Sequence, residues 1–287
     1  MKQADVNTPI ATVEMGSGML SRIIGYVRDI GLNTKDSKRD FTTEHQKLEC
    51  NVYFVTKDMK RIGAYLLKPT GDHPPRFVIA LHGRGCSREC YRSESKIGFL
   101  CSMGYYVLIP DYRGFADSEG MFEIEKVNLD IMACFEYLMS NFGANEIDVV
   151  AHSLGTGILA EYCRYVRSSK IGECYMPRRV VMISPFTSIM DVVSESFVWR
   201  LLCVLMPWAR KIVSREIGYD VMGNIKHMDK KGIFLYHGAR DDVISCKHAY
   251  ILSKVHGLKL RLSDHDHVSI LDDDNLWQGV YADFVHE

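Results

Sequence analysis

Ser153 stands in "DVVAHSLGTGILAEYC", between a β-branched apolar run and a stretch of small residues. A strand that enters a tight turn and then opens a helix lifts such a serine above the sheet end, where its hydroxyl can attack a substrate. The pattern fits G-x-S-x-G except that Ala151 fills the first place. The demand there is smallness, because strand and helix approach closely, and alanine meets it nearly as well as glycine. Gly155 keeps the second small place and Gly157 extends the small face. The competing reading is a serine that only caps its helix. The strand before it and the small-residue helix after it favour the nucleophile. The helix N-terminus adds positive potential and free N–H groups, so the Leu154 N–H is a candidate oxyanion donor.

A serine nucleophile needs a base, an acid to orient the base, and a second oxyanion donor. Where this kind of turn carries the serine, acid and base follow it in that order. "IFLYHGARDDVIS" offers Asp241 and Asp242 after a late strand. Asp241 is favoured, three residues beyond Gly238, with Asp242 the alternative; alone, the pair reads equally well as turn formers. "LKLRLSDHDHVSIL" offers His265 and His267 after the last strand. His267 is favoured, just before the run into the terminal helix, with His265 a surface or supporting residue. Upstream, "ALHGRG" places a glycine-rich turn after an early strand, and the Arg84 N–H is assigned as the second oxyanion donor. His82 belongs to that turn, and His152 is expected to pack against the sheet end. His227, His237, His248 and His256 have no motif around them.

These residues need elements to hold them. "CNVYFVT" and "RIGAYLL" around "KDMK" form a hairpin pattern. From "RFVIAL" onward, short apolar strands alternate with helical patterns: "YYVLIP", "EKVNLDIMACFEYLMSNF", "EIDVVA", "RRVVMIS", "GIFLYHG", "CKHAYILSKV", "LKLRLS" and "NLWQGVYADFV". Such alternation means βαβ units, hence an α/β fold with a mostly parallel central sheet and helices on both faces. The leading hairpin predicts an antiparallel edge. Residues 1–44 read as an N-terminal arm and 45–287 as a single domain. The alternation breaks at about 185–231, a stretch rich in Trp, Phe, Leu and Met, expected to be a small helical cap insertion over one end of the sheet.

The bulk numbers narrow the function classes. Charged residues make up 25% of the 287-residue chain and nearly cancel, for a net charge of -1. That balance gives no support for nucleic-acid binding. Nine cysteines, without C-x-x-C or zinc spacing, give no sign of a structural metal. Together with the absence of a signal-peptide pattern they point to a reducing, cytoplasmic compartment. No window reaches the roughly 20 uncharged apolar residues of a membrane span. The nearest, "FVWRLLCVLMPWARKIV", is interrupted by Arg200 and Pro207.

The chain resembles the α/β hydrolases, and within them the branch of serine lipases that includes monoacylglycerol and lysophosphatidylserine lipases. The matching pieces are "LHGRG", "PDYRGFADSEG", "VVAHSLGTG", "SPFTSIMDV", "HGARDDVIS" and the final histidine before the last helix. They run in order from about Val52 to the C-terminus. The resemblance implies the α/β-hydrolase fold, a small-molecule acyl ester as substrate, and hydrolysis through an acyl-enzyme with no metal or organic cofactor. It makes Asp111, Arg113 and Gly114 loop architecture beside the site. Lipases of this branch carry an N-terminal transmembrane segment, which this sequence does not show, so the resemblance bears on chemistry more than on membrane placement. The apolar run "FVWRLLCVLMPW" is expected to line an acyl channel or to touch a membrane surface peripherally. Two other enzyme readings are a protein acyl-thioester hydrolase and a prolyl-aminopeptidase-like peptidase. A non-catalytic ligand-binding hydrolase fold is the reading from another class. Oligomeric state is not encoded in any of these features.

Overall fold

The structure is a computed structural model, and it describes residues 49–93, 95–195 and 218–285. The arm over residues 1–44 and the apolar run from Phe197 to Trp208 lie outside the described residues. In chain order the elements are β1 (Glu49–Val55), β2 (Arg61–Leu67), β3 (Arg76–Leu81), α1 (Arg88–Ser93), α2 (Gly98–Ser102), β4 (Tyr105–Pro110) and α3 (Ile124–Phe142). There follow β5 (Asp148–His152), α4 (Leu154–Ser168), β6 (Val180–Ile183), α5 (Ile189–Glu195), α6 (Val221–Asn224), β7 (Ile233–Gly238), α7 (Lys247–His256), β8 (Lys259–Ser263) and α8 (Asp274–Val285).

The strands form one sheet of eight in the order β1-β2-β4-β3-β5-β6-β7-β8. β1, β2 and β4 pair antiparallel, and every other pairing is parallel. The alternation of side chains explains how one short strand serves two cores. Val149 and Ala151 join the cluster beneath α3 and α4, with Ile79, Leu81 and Met182. Val150 joins the opposite cluster, with Val78, Ala80, Val181 and the α8 residues Trp277, Val280 and Phe284. Strands buried on both faces can be apolar at every position, so they read as runs rather than as alternations.

The order of strand addition reverses between β3 and β5, which themselves run parallel. β4 lies to one side of β3, whereas the later strands build outward from β5 on the other. The crevice beyond the carboxyl ends at such a reversal is where open α/β sheets take ligands. The loop after β3 and the turn after β5 both open into it, and Leu81 pairs with Ala151 at that edge.

Two glycines make the close packing possible. A Cβ at Gly155 would come within 2.5 Å of the Leu81 carbonyl oxygen, and one at Gly157 within 2.7 Å of the Phe186 ring. Ala151 is fully buried between Leu81 and Met182, where a small side chain suits the close approach. Within the stretch expected to be the cap insertion, Ser188 bridges to Asp220, and Ile189 N–H donates to Tyr219 O at 3.0 Å. Among the described residues no helix is long and apolar enough to cross a membrane.

Candidate active site

Ser153 occupies the turn between β5 and α4 with φ +53° and ψ -117°. A positive φ is uncommon outside glycine, and surrounding structure must hold it there. Its N–H donates to Ile183 O at 2.9 Å, while its carbonyl accepts from Thr156 N–H at 2.9 Å and Thr156 Oγ1 at 2.7 Å. The side chain does not cap the helix. Instead Ser153 Oγ lies 3.0 Å from His267 Nε2, so the helix-cap reading of this serine fails on its geometry.

His267 follows β8, and its other ring nitrogen, Nδ1, lies 2.7 Å from Asp241 Oδ2. Asp241 follows β7. Its Oδ1 accepts from the N–H groups of Val243 at 3.0 Å and Ile244 at 2.8 Å. The Asp241 side chain is wholly buried. Burial by itself would raise its carboxyl, but hydrogen bonds from His237, His267 and the Ile244 N–H outweigh it. They hold the group well below the usual carboxylate range. Asp241 is therefore an anion at neutral pH, and His267 Nδ1 must be the donor in that contact. His267 Nε2 is then left to accept from the Ser153 hydroxyl.

The two alternatives lie elsewhere. Asp242 is exposed. His265 Nδ1 faces Asp273 Oδ2 at 3.5 Å, and its carbonyl accepts from Arg240 N–H at 3.0 Å. Leu154 is the first residue of α4, so its N–H has no intrahelical acceptor. Arg84 follows Gly83, where an added Cβ would lie 3.1 Å from Ser153 Cβ. The loop after β3 thus runs directly against the serine, and the Arg84 side chain is exposed.

That loop is anchored by contacts with no obvious sequence signal. His82 is fully buried, packs against the Tyr112 ring with centroids 4.3 Å apart, and faces Asp111 Oδ1 at 3.4 Å. Asp111 also accepts from Arg88 N–H at 2.7 Å, and the Arg88 guanidinium joins it to Asp117. Arg113, nearly fully buried, bridges Asp130 at 2.7 Å and Asp58 at 2.8 Å. The "DYRGFADSEG" segment is in this way tied to the sheet end by charge pairs. Cys86 and Cys90 form the one disulfide among the described residues. It follows Arg84-Gly85 closely, and it makes cysteine usage a poor guide to compartment here. Among the described residues no group of three or more His, Cys, Asp and Glu side chains could hold a metal ion.

His152 carries no sequence signal that separates it from other packing histidines. Its Nε2 donates to the His267 carbonyl at 2.9 Å, and the two rings lie 4.8 Å apart. Burial, reinforced by the nearby His267, lowers its pKa to about 3. It therefore stays neutral in the fold. The unfolded imidazole takes up a proton below its ordinary 6.5, and the folded one does not. Its contribution is fully present above that value and is lost as pH falls toward 3. At pH 5 the loss is about 2 kcal/mol. His152→Gln, which retains an N–H donor, should lose less stability than wild type between pH 8 and pH 5. Urea unfolding at the two pH values measures the difference, and identical losses would contradict the assignment.

Residues 78–271 match the model of the Alpha/beta hydrolase family. The chain is 25% identical over 219 residues to lysophosphatidylserine lipase ABHD12 of Bos taurus, covering 68% of this chain and 53% of that protein. The Rattus norvegicus protein of the same name is 26% identical over 219 residues with the same coverage. The chain thus spans about half the length of the curated relatives it matches. Among solved structures, the Pyrococcus furiosus esterase Pf2001 superposes with a TM-score of 0.64 at 22% identity, over 86% of this chain and 93% of that one. An alpha-beta hydrolase from Vibrio vulnificus gives 0.68 at 18% identity, over 93% and 92%. At those identities the structural likeness speaks for the fold.

Proposed function

Because the chain belongs to the alpha/beta hydrolase family, we propose that it is a serine hydrolase that cleaves a carboxylic ester through an acyl-enzyme. The observation that carries this reading is the continuous relay from Ser153 Oγ to His267 at 3.0 Å and from His267 to Asp241 at 2.7 Å. Ser153 Oγ attacks the ester carbonyl carbon while His267 Nε2 takes its proton. The Arg84 and Leu154 N–H groups stabilise the oxyanion. When the tetrahedral adduct collapses, the bond to the alcohol breaks and His267 returns the proton to the departing oxygen. Water then attacks acyl-Ser153 with His267 again the base, which frees the acid and restores the serine. Asp241 holds the imidazole in the Nδ1–H tautomer and stabilises the imidazolium.

The substrate is a lipid-like ester, a monoacylglycerol or a lysophospholipid. Two exposed valines support an apolar partner at the mouth: Val243, two residues after Asp241, and Val268, next to His267. The lysophosphatidylserine lipases among its relatives point the same way. The run from Phe197 to Trp208 lies outside the described residues, and its sequence is rich in apolar residues. In this reading the protein contacts a membrane peripherally, through that run.

A panel of p-nitrophenyl and glyceryl esters of increasing chain length, with an acyl-thioester peptide alongside, tests the class. Medium and long acyl esters should be cleaved with higher kcat/KM than acetate. Faster turnover of acetate contradicts the lipid reading, and preference for the thioester moves the substrate to acylated protein.

A further inference from the structure

The relay uses one imidazole, yet a second one touches its acid. His237 lies in β7, just before Gly238, and is fully buried. Its Nε2 lies 2.9 Å from the Ile244 carbonyl oxygen and 3.3 Å from Asp241 Oδ2. Both neighbours are acceptors, so Nε2 must carry the proton. Nδ1 then holds a lone pair, and it is buried without a hydrogen-bond partner among the described residues. A second proton there would be an unsatisfied buried N–H, which is costly, so the ring acts as a neutral donor.

We propose that His237 is a positioning residue for the reaction: its Nε2–H spans Ile244 O and Asp241 Oδ2 and fixes the carboxylate that orients His267. The inference rests on the reading of Ser153, His267 and Asp241 as the reacting triad. Asp241 Oδ1 is held by two backbone N–H groups, from Val243 and Ile244. Oδ2 is held by His267 and His237. Ile244 therefore contacts the carboxylate through its N–H and His237 through its carbonyl, which closes a ring around the acid. The backbone beneath is tight as well, since a Cβ at Gly238 would lie 2.3 Å from His265 O in the loop that carries His267. Without His237, Oδ2 loses one of two donors and the turn over residues 241–244 loses the side-chain donor on its Ile244 carbonyl. More of the carboxylate charge then falls on His267, which holds its proton to higher pH. The other titratable side chains acting on this pair are His152 against His267 and His248 near His237, both held neutral by burial.

The test uses the full chain, p-nitrophenyl octanoate as probe substrate, and the variants His237→Leu, His237→Asn and His237→Gln. Gln carries its amide nitrogen at nearly the reach of Nε2, whereas Asn falls short of it. Leu and Asn should lower kcat about tenfold or more, the size of one lost charge-assisted hydrogen bond, and leave KM unchanged. The acid limb of kcat/KM should move to higher pH in both. Gln should restore most of kcat and return the limb. If Leu or Asn matches wild type in kcat and limb, the proposal is overturned. It is also overturned if Asn and Gln lose activity equally with the limb unmoved, the result of a purely packing role. Fluorophosphonate labelling of wild type separates the two failures. Absent labelling at Ser153 removes the triad reading, whereas labelled wild type with an unaffected His237→Asn removes only this inference.

Discussion

Ser153→Ala is expected to lower kcat for ester hydrolysis by about 10⁶-fold, the scale of loss when a serine nucleophile is removed from an intact relay. The substitution is clean. Alanine keeps the Cβ, so the positive φ at this turn and its packing against Gly83 are the same in both proteins. The backbone bonds that hold the turn, to Ile183 and Thr156, do not involve the hydroxyl. Among the described residues the hydroxyl makes one hydrogen bond, the 3.0 Å contact with His267. Stability should therefore change little while turnover collapses. Activity of purified protein on a p-nitrophenyl ester, with a thermal melt alongside, measures both. Residual turnover within tenfold of wild type would mean that the chemistry lies elsewhere.

Asp241→Asn should cost about 10⁴-fold in kcat, and Asp242→Asn should stay within a few-fold of wild type. The reason is the donor count at position 241. An asparagine could still accept the Val243 and Ile244 N–H groups on its oxygen. Its NH₂ would then face His267 Nδ1–H and His237 Nε2–H, donor against donor. His267 would relieve this by moving its proton to Nε2, and that tautomer cannot accept from Ser153. Asp242 is exposed, and its charge is screened by water. Steady-state kinetics of the two variants measure the difference. Equal losses would undo the choice between the neighbouring aspartates.

The contrast between these two aspartates shows what a sequence does and does not carry. The strands around Val78, Val149, Val181 and Leu235 were legible because apolar runs of strand length alternate with helical periods. The turn at Ser153 was legible because Ala151, Gly155 and Gly157 are the small residues that a close strand–helix crossing requires. The chain order of serine, aspartate and histidine followed from where each strand ends. Adjacent alternatives are different. Asp241 and Asp242 share the same local pattern, and only the direction of the backbone after Gly238 turns one inward and the other to water. His265 and His267 likewise differ by which face of the loop meets β5. The contacts of His237 depend on how the turn after β7 folds back on it, and that of His152 on register between distant strands, with 115 residues separating it from His267. The Cys86–Cys90 bond depends on the turn into α1, which no composition signal marks. Residues that act through another residue have no spacing rule of their own, so packing alone reveals them.

One measurement bears most directly on the central claim: labelling with a fluorophosphonate probe, followed by mass-spectrometric mapping of the modified peptide. A single adduct on Ser153 is expected, absent from Ser153→Ala and strongly slowed in His267→Ala. Ser184 is an internal control, since it too is buried with a positive φ, at +48°, and its Oγ has no hydrogen-bond partner among the described residues. No labelling of wild type, or an adduct on Ser184 in place of Ser153, would contradict the account.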